Sequence, residues 1–159
     1  MIDTLDELNR VIDALPAPGR GGRIGRLNAG AYTLAHLAFT AEFLLNFTTG
    51  TEVDPWPMQH GGPGSDPEQP PPFDEAKNAL DRVHARLRAY LATVDDEENA
   101  RLPDGLPEGW AGATVEYLLS TVAAHALVHV GELSALASLV GAPDLGLPGS
   151  MPAVRGSAE

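Results

Sequence analysis

Three histidines have the residue type and spacing that metal chemistry requires. His125 and His129 stand four residues apart, one turn of an α-helix, so both imidazoles can face a single ion. They belong to a stripe, Leu118, Val122, His125, His129, Glu132, Leu136, in which three consecutive core-type positions are polar within an otherwise apolar seam. A polar group buried without a partner destabilises a fold by ~1–3 kcal/mol, so such a run points to partners, a metal or catalytic work. His36 sits between Tyr32 and Phe39 in an apolar stripe of its own. A lone buried histidine is ordinarily a core residue bonded to a carbonyl. Three on inward stripes of two helices instead form a three-nitrogen set for Zn, Ni or Fe(II), with coordination positions left open.

Glu132, one turn beyond His129, reads in three ways: a fourth ligand, a carboxylate that orients an imidazole or moves protons, or an acid paired with a cation of the first helix. Thr121 is expected to bond its own helix backbone rather than a substrate. Other metal signatures fail. Ala126 stands where a zincin needs glutamate directly after the first histidine, and the chain has no Glu-x-x-His element of the di-iron carboxylate kind. His84 falls off the apolar stripe of its helix and His60 lies in a Gly/Pro loop, so both are expected at the surface, with His60 able to swing over the site as a lid.

Four amphipathic segments must position these residues. The first helix is expected to open with a capping box, Thr4 to Glu7, and to stop at Pro16, with Leu5, Leu8, Ile12 and Leu15 as its apolar stripe. A loop from Pro16 to Arg26 follows, whose Arg20, Arg23 and Arg26 either balance an acidic surface or meet an anionic substrate. The second helix runs from Asn28, a candidate N-cap, to Phe47, with Gly50 as a stop and Tyr32, His36, Phe39, Phe43 and Phe47 as its inward stripe. Thr48–Pro72 holds seven of the 14 prolines and no helical period, which predicts a long crossover loop. The third helix spans Asp74 to Val94 with an apolar heptad stripe, Phe73, Ala76, Leu80, Val83, Leu87, Tyr90 and Val94. The acidic run Asp95–Glu98 reads as a solvated edge, and Trp110 as a packing anchor in the next connection. The fourth helix runs from Thr114, a candidate N-cap, to Val140, and ends at Gly141-Ala-Pro143. No stretch alternates with strand period. The expected fold is all-α, a four-helix bundle with a long crossover between the second and third helices, covering 1–143, followed by a Gly/Pro/Ser-rich tail over 144–159.

Composition narrows the function further. With 159 residues, 43% of them hydrophobic, one core is the default. The formal charge of −12 would repel a phosphate backbone or an anionic bilayer, so nucleic acid and membrane are not expected partners. Without cysteine the protein has no thiol of its own, and any thiol chemistry must use an exogenous one. Leu118 to Val140 is long enough to span a bilayer, but His125, His129 and Glu132 fit a buried bundle helix better. The acidic N-terminal residues lack the pattern of a secretory signal, so the expected location is cytoplasmic.

The segments Tyr32-Thr-Leu-Ala-His36-Leu-Ala-Phe-Thr-Ala-Glu42 and Ala124-His125-Ala-Leu-Val-His129-Val-Gly131-Glu132-Leu133 resemble the DinB-like superfamily, with Gly141-Ala-Pro143 at the usual helix end. The resemblance implies a four-helix bundle with a long crossover, a divalent metal on His36, His125 and His129, and homodimerisation. Members with assigned activity are similar to mycothiol-dependent maleylpyruvate isomerase and to mycothiol or bacillithiol S-transferases, and related domains in ergothioneine sulfoxide synthases use iron. The leading expectation is therefore a metal-dependent enzyme, a thiol transferase or isomerase acting on a small electrophile with a low-molecular-weight thiol. The alternatives are a hydrolase that activates water at the metal, and a module that binds metal or a small molecule without turnover.

Overall fold

Four long helices carry the architecture: α1 (Ile2–Ala14), α3 (Gly30–Thr49), α5 (Phe73–Leu91) and α7 (Val115–Leu139). Between them lie three short helices, α2 (Ala17–Gly21), α4 (Pro55–Gly61) and α6 (Asp96–Ala100), and a 3-10 turn at Glu108–Trp110. The computed structural model describes residues 1–143 and Leu145, and contains no named strand among them. The expected tail over 144–159 otherwise lies outside the described residues.

Cross-helix pairs fix the topology. α3 packs against both α5 and α7, and α1 packs against α7. Arg20, beside the start of α3, lies over Phe73 at the start of α5, while Glu42 meets Arg86 further along both helices, so α3 and α5 run parallel. A parallel pair needs a connection that returns the length of the bundle, which is why the stretch between them is long. Ion pairs Asp6–Arg88 and Asp13–Lys77 run the opposite way and set α1 antiparallel to α5. The core between the helices is aliphatic: Leu5, Leu8, Ile12 and Leu15 from the first segment, Leu34 and Leu45 from α3, Leu80 and Leu87 from α5, and Leu133 and Leu136 from α7 are fully buried.

Several helix boundaries follow local chemistry. Gly50 ends α3 in the left-handed region at φ 66°, which only a residue without Cβ adopts cheaply. Thr114 caps α7 by accepting from the Tyr117 N–H. Two expected caps do not form. α1 starts at Ile2, two residues before Thr4, because the Leu5 N–H already donates to the Met1 carbonyl; Thr4 is buried and Glu7 pairs with Arg10. α3 starts after Ala29 with no side-chain cap, leaving Asn28 free of that role. The crossover, read as helix-free, contains α4, whose N-cap Asp54 accepts from the Trp56 N–H while Pro55 occupies the first turn. The loop from Pro16 to Arg26 likewise contains α2. The acidic run is only partly a solvated edge: Asp95 caps α6, and Glu98 bonds Arg101 and the Tyr90 hydroxyl, which push its carboxyl down to about 2.

Candidate metal centre

The site forms where the second turn of α3 faces the middle of α7. His36 projects from α3, and His125 and His129 project from successive turns of α7. Ring centroids lie 5.0 Å apart for His36 and His125, 5.3 Å for His36 and His129, and 4.7 Å for His125 and His129. One ligand nitrogen from each ring falls within 4.8 Å of the other two, so a single ion could touch all three.

Hydrogen bonds at the outer ring nitrogens decide which atom faces inward. His36 Nδ1 lies 2.9 Å from the Gly61 carbonyl, which can only accept, so Nδ1 carries the proton and Nε2 keeps its lone pair. His129 Nδ1 lies 2.8 Å from Glu132 Oε2 and donates to it, which again leaves Nε2 as the bare nitrogen. His125 Nε2 is 2.8 Å from His129 Nε2 and donates to that lone pair. A divalent cation would take the place of this one shared proton once His125 carries its proton on Nδ1. The donor set therefore fits the group that the resemblance implies, and among the described contacts Glu132 meets the His129 imidazole rather than a cation of the first helix.

Burial favours the neutral rings that a metal needs. His125 is pushed down to about 4, first by burial and then by its neighbours His129 and His36. His129 is also lowered by burial, against the opposing pull of Glu132. Neither ring carries a proton on both nitrogens at neutral pH.

The second element that positions His36 is α4, which the sequence reading did not anticipate. Gly61 is packed so tightly on α3 that a Cβ there would lie 2.1 Å from the Ala35 carbonyl oxygen and 2.4 Å from the His36 amide nitrogen. Only glycine allows this backbone contact, and the contact brings the Gly61 carbonyl to the His36 ring. The available signals were Asp54-Pro55 as a helix start and the Gly61-Gly62 pair as its stop.

Phe39, Phe43 and Phe47 differ from their expected core role. All three are half-buried, and they line a cavity of about 430 Å³ that ends at His36 and His125. The core face of α3 is instead Ala31, Leu34, Ala38, Ala41 and Leu45. Trp110 packs against the core, as an anchor should, and also borders this cavity. Thr121 bonds the Tyr117 carbonyl of its own helix.

His84 is not at the surface: it is buried on α5, 6% exposed, with Nδ1 lacking a hydrogen-bond partner, and burial pushes it down to about 4. His60 sits in the last turn of α4, half-buried, with its ring 4.5 Å from that of Trp56 and outside the histidine cluster. Arg20 donates to the Leu15 carbonyl and covers Phe73, and Arg23 pairs with Glu68, so both have structural employment. α7 is long and apolar enough to cross a membrane by length and composition alone, yet it is one wall of the bundle and carries the two site histidines.

An all-helical bundle whose seam gathers three imidazoles, two of them held by outer hydrogen bonds, defines a scaffold able to hold a divalent metal. The chain belongs to the DinB superfamily, whose model matches residues 4–133. Metal binding is typical of that superfamily. No curated protein and no solved structure matches the chain.

Proposed function

We propose that the protein is a divalent-metal-dependent enzyme that joins a low-molecular-weight thiol to a small electrophile, or isomerises such an electrophile through the thiol. The observation that carries this reading is the convergence of three imidazole nitrogens, two of whose rings, His36 and His125, line an apolar cavity. His36, His125 and His129 would hold the ion, which would supply Lewis acidity and favour the thiolate form of a thiol beside it. The chain's own contribution is orientation. The Gly61 carbonyl and Glu132 hold two of the rings with Nε2 inward, Phe39 gives the cavity beside His36 an apolar wall, and Glu132 holds a proton at His129 Nδ1. A cytoplasmic location belongs to this reading, because low-molecular-weight thiols are kept reduced there. So does a homodimer: α7 exposes Tyr117, Leu127, Val128 and Leu139 on its outer side, and Val128→Glu should turn a dimer into a monomer in sedimentation.

The test is a panel of small thiols against a panel of activated alkenes, epoxides and leaving-group-bearing metabolites, with chelated protein as control. Product should require metal, thiol and electrophile together, and a Co(II)- or Ni(II)-substituted sample should gain a sulfur-to-metal charge-transfer band on adding thiol. Hydrolysis of an ester or amide without thiol, lost on chelation, would replace this reading with a metal-dependent hydrolase. Tight binding without turnover would leave a binding module.

A further inference from the structure

The histidine cluster touches two chambers of opposite character. The larger, of about 430 Å³, reaches His36 and His125 and is walled by Phe39, Phe43, Phe47, Trp110, Leu118 and Val122. Its two wall hydroxyls are already committed: Thr40 donates to the His36 carbonyl at 2.9 Å and Thr121 to the Tyr117 carbonyl at 2.9 Å. Among the described residues no charged side chain lines it. The smaller, of about 230 Å³, reaches His36 and His129 and is otherwise lined by Asn28, Tyr32 and Thr33. Thr33 is 1% exposed, and its hydroxyl has no hydrogen-bond partner.

A buried hydroxyl left unpartnered destabilises a fold, as does a row of three phenylalanines left half in water, so neither feature is explained by folding. A ligand in the large chamber would cover the phenylalanine row, and one in the small chamber would meet Asn28 and Tyr32 beside Thr33. Phe39, Phe43 and Phe47 form a pre-arranged wall, with ring centroids 6.0 Å and 4.7 Å apart along the row. The chamber they line falls in the size range of small-molecule sites.

We infer that the two chambers divide the two reactants: the large chamber takes the uncharged, aromatic or branched apolar body of the electrophile, and the small one takes the hydrogen-bonding body of the thiol. The inference rests on the two-reactant reading above for the identity of the second ligand, but the apolar chamber stands on its own walls. It assigns a substrate class: neutral molecules with an apolar body of one or two rings, presented to the histidine cluster at one end. Multiply charged electrophiles are disfavoured, because among the described residues no charged side chain lines the chamber and both wall hydroxyls are committed to backbone carbonyls.

The test uses the metal-loaded full chain and two probes. The neutral fluorophore N-phenyl-1-naphthylamine should bind with enhanced emission, and Phe43→Asp should weaken it at least tenfold while Phe43→Leu changes it less than threefold. Thr121→Phe, which fills the same chamber from α7, should weaken it comparably, so a fold failure of Phe43→Asp would not hide the result. Metal content and far-UV signal should stay constant across these variants. N-acetylcysteine, followed by its charge-transfer band on the Co(II) form, should bind with the fluorophore still in place and should be weakened about tenfold by Asn28→Ala with Thr33→Val. Absence of fluorophore binding, or equal binding by Phe43→Asp, Thr121→Phe and the unaltered chain, overturns the apolar chamber. Mutual displacement of the two probes overturns the division. A chain that binds the fluorophore but shows no thiol band keeps the apolar chamber and loses the thiol reading.

Discussion

α3 presents buried polar groups to both of its large neighbours, and the two seams treat them differently. Toward α5, Glu42 is wholly buried and saturated: Arg86 Nη1 donates to both carboxylate oxygens at 2.8 Å, and the Asp54 N–H donates at 2.9 Å. Arg86 in turn reaches Thr51. Toward α7, the outer nitrogens of His36 and His129 are saturated while the inner nitrogens of the cluster have only one another. A polar group completely satisfied by the chain ties helices together. A set satisfied on its outer side and convergent on its inner side is organised for something from outside. This contrast separates, on one helix, the residues that tie the bundle from those placed to meet a ligand.

The largest effect expected from breaking it comes from the metal. Because the aliphatic core is complete without the histidines, chelated protein should keep its far-UV helix signal at room temperature. It should nevertheless lose ~4 kcal/mol in urea unfolding relative to protein with free metal a thousandfold above its dissociation constant. One ion per chain is expected. His36→Ala, His125→Ala and His129→Ala should each lose most of the affinity, while His60→Ala keeps it. Full occupancy in His36→Ala would remove α3 from the site, and loss of helix on chelation would make the cluster structural.

The other seam should fail in the opposite manner. Arg86→Met leaves Glu42 buried with a single N–H donor. Loss of one partner from a buried pair destabilises by ~3–5 kcal/mol, and the partial exposure of Arg86 places this case at about 3. Metal stoichiometry measured well below the melting temperature should not change. If Arg86→Met instead loses metal with little change in stability, the two seams are one unit and the contrast between them fails.

His84 offers a third buried polar group, neither saturated nor convergent. Burial keeps the ring neutral in the fold and pushes it from an ordinary 6.5 down to about 4, with the Asp81 carboxylate favouring and the Arg88 guanidinium opposing its charged form. The unfolded chain takes up the proton first, so the stability that depends on a neutral His84 is complete above 6.5 and is lost as pH falls from 6.5 to about 4. The difference in urea stability between metal-free wild type and His84→Leu should therefore shift by roughly 2–3 kcal/mol across that range, with wild type losing ground. A constant difference from pH 7 to pH 4.5 would show that His84 titrates normally.

The residues that were legible in the sequence are those whose helical period carries polar atoms into an apolar stripe. His125, His129 and Glu132 stand out because three polar positions at turn spacing in an apolar stripe are costly, His36 because it interrupts an apolar stripe of its own, and Gly50 and Thr114 because helix ends need specific chemistry. The side on which α3 buries itself was not legible. That helix is apolar almost all round, and the row Phe39, Phe43, Phe47 looks as suited to the core as Leu34, Ala38, Ala41 and Leu45. Only packing shows that the small residues meet the neighbouring helices and the aromatic row faces a cavity. His84 was misplaced for a related reason: α5 packs on α3 and is tied to α1, so its buried arc is wider than a heptad stripe. Gly61 acts through a carbonyl, an atom every residue has, so its role depends on a close approach that sequence does not print.

The smallest expected effect tests whether the outer bonds of the functional seam matter as those of the structural seam do. Glu132→Gln keeps the size of the side chain and a carbonyl oxygen that can accept from His129 Nδ1, but removes the charge. An orienting carboxylate of this kind raises the basicity of its imidazole, and its loss typically lowers metal affinity ten- to a hundredfold. Glu132→Gln should sit near tenfold, since the hydrogen bond itself survives, and Glu132→Ala nearer a hundredfold. Competition with a coloured chelator reads both, and unfolding of the metal-free forms should differ little from wild type because Glu132 is partly exposed. If Glu132 were a ligand, Gln and Ala would both abolish binding; if it were only packing, neither would move it. Graded loss, with Gln between wild type and Ala, is the outcome that places the carboxylate behind His129.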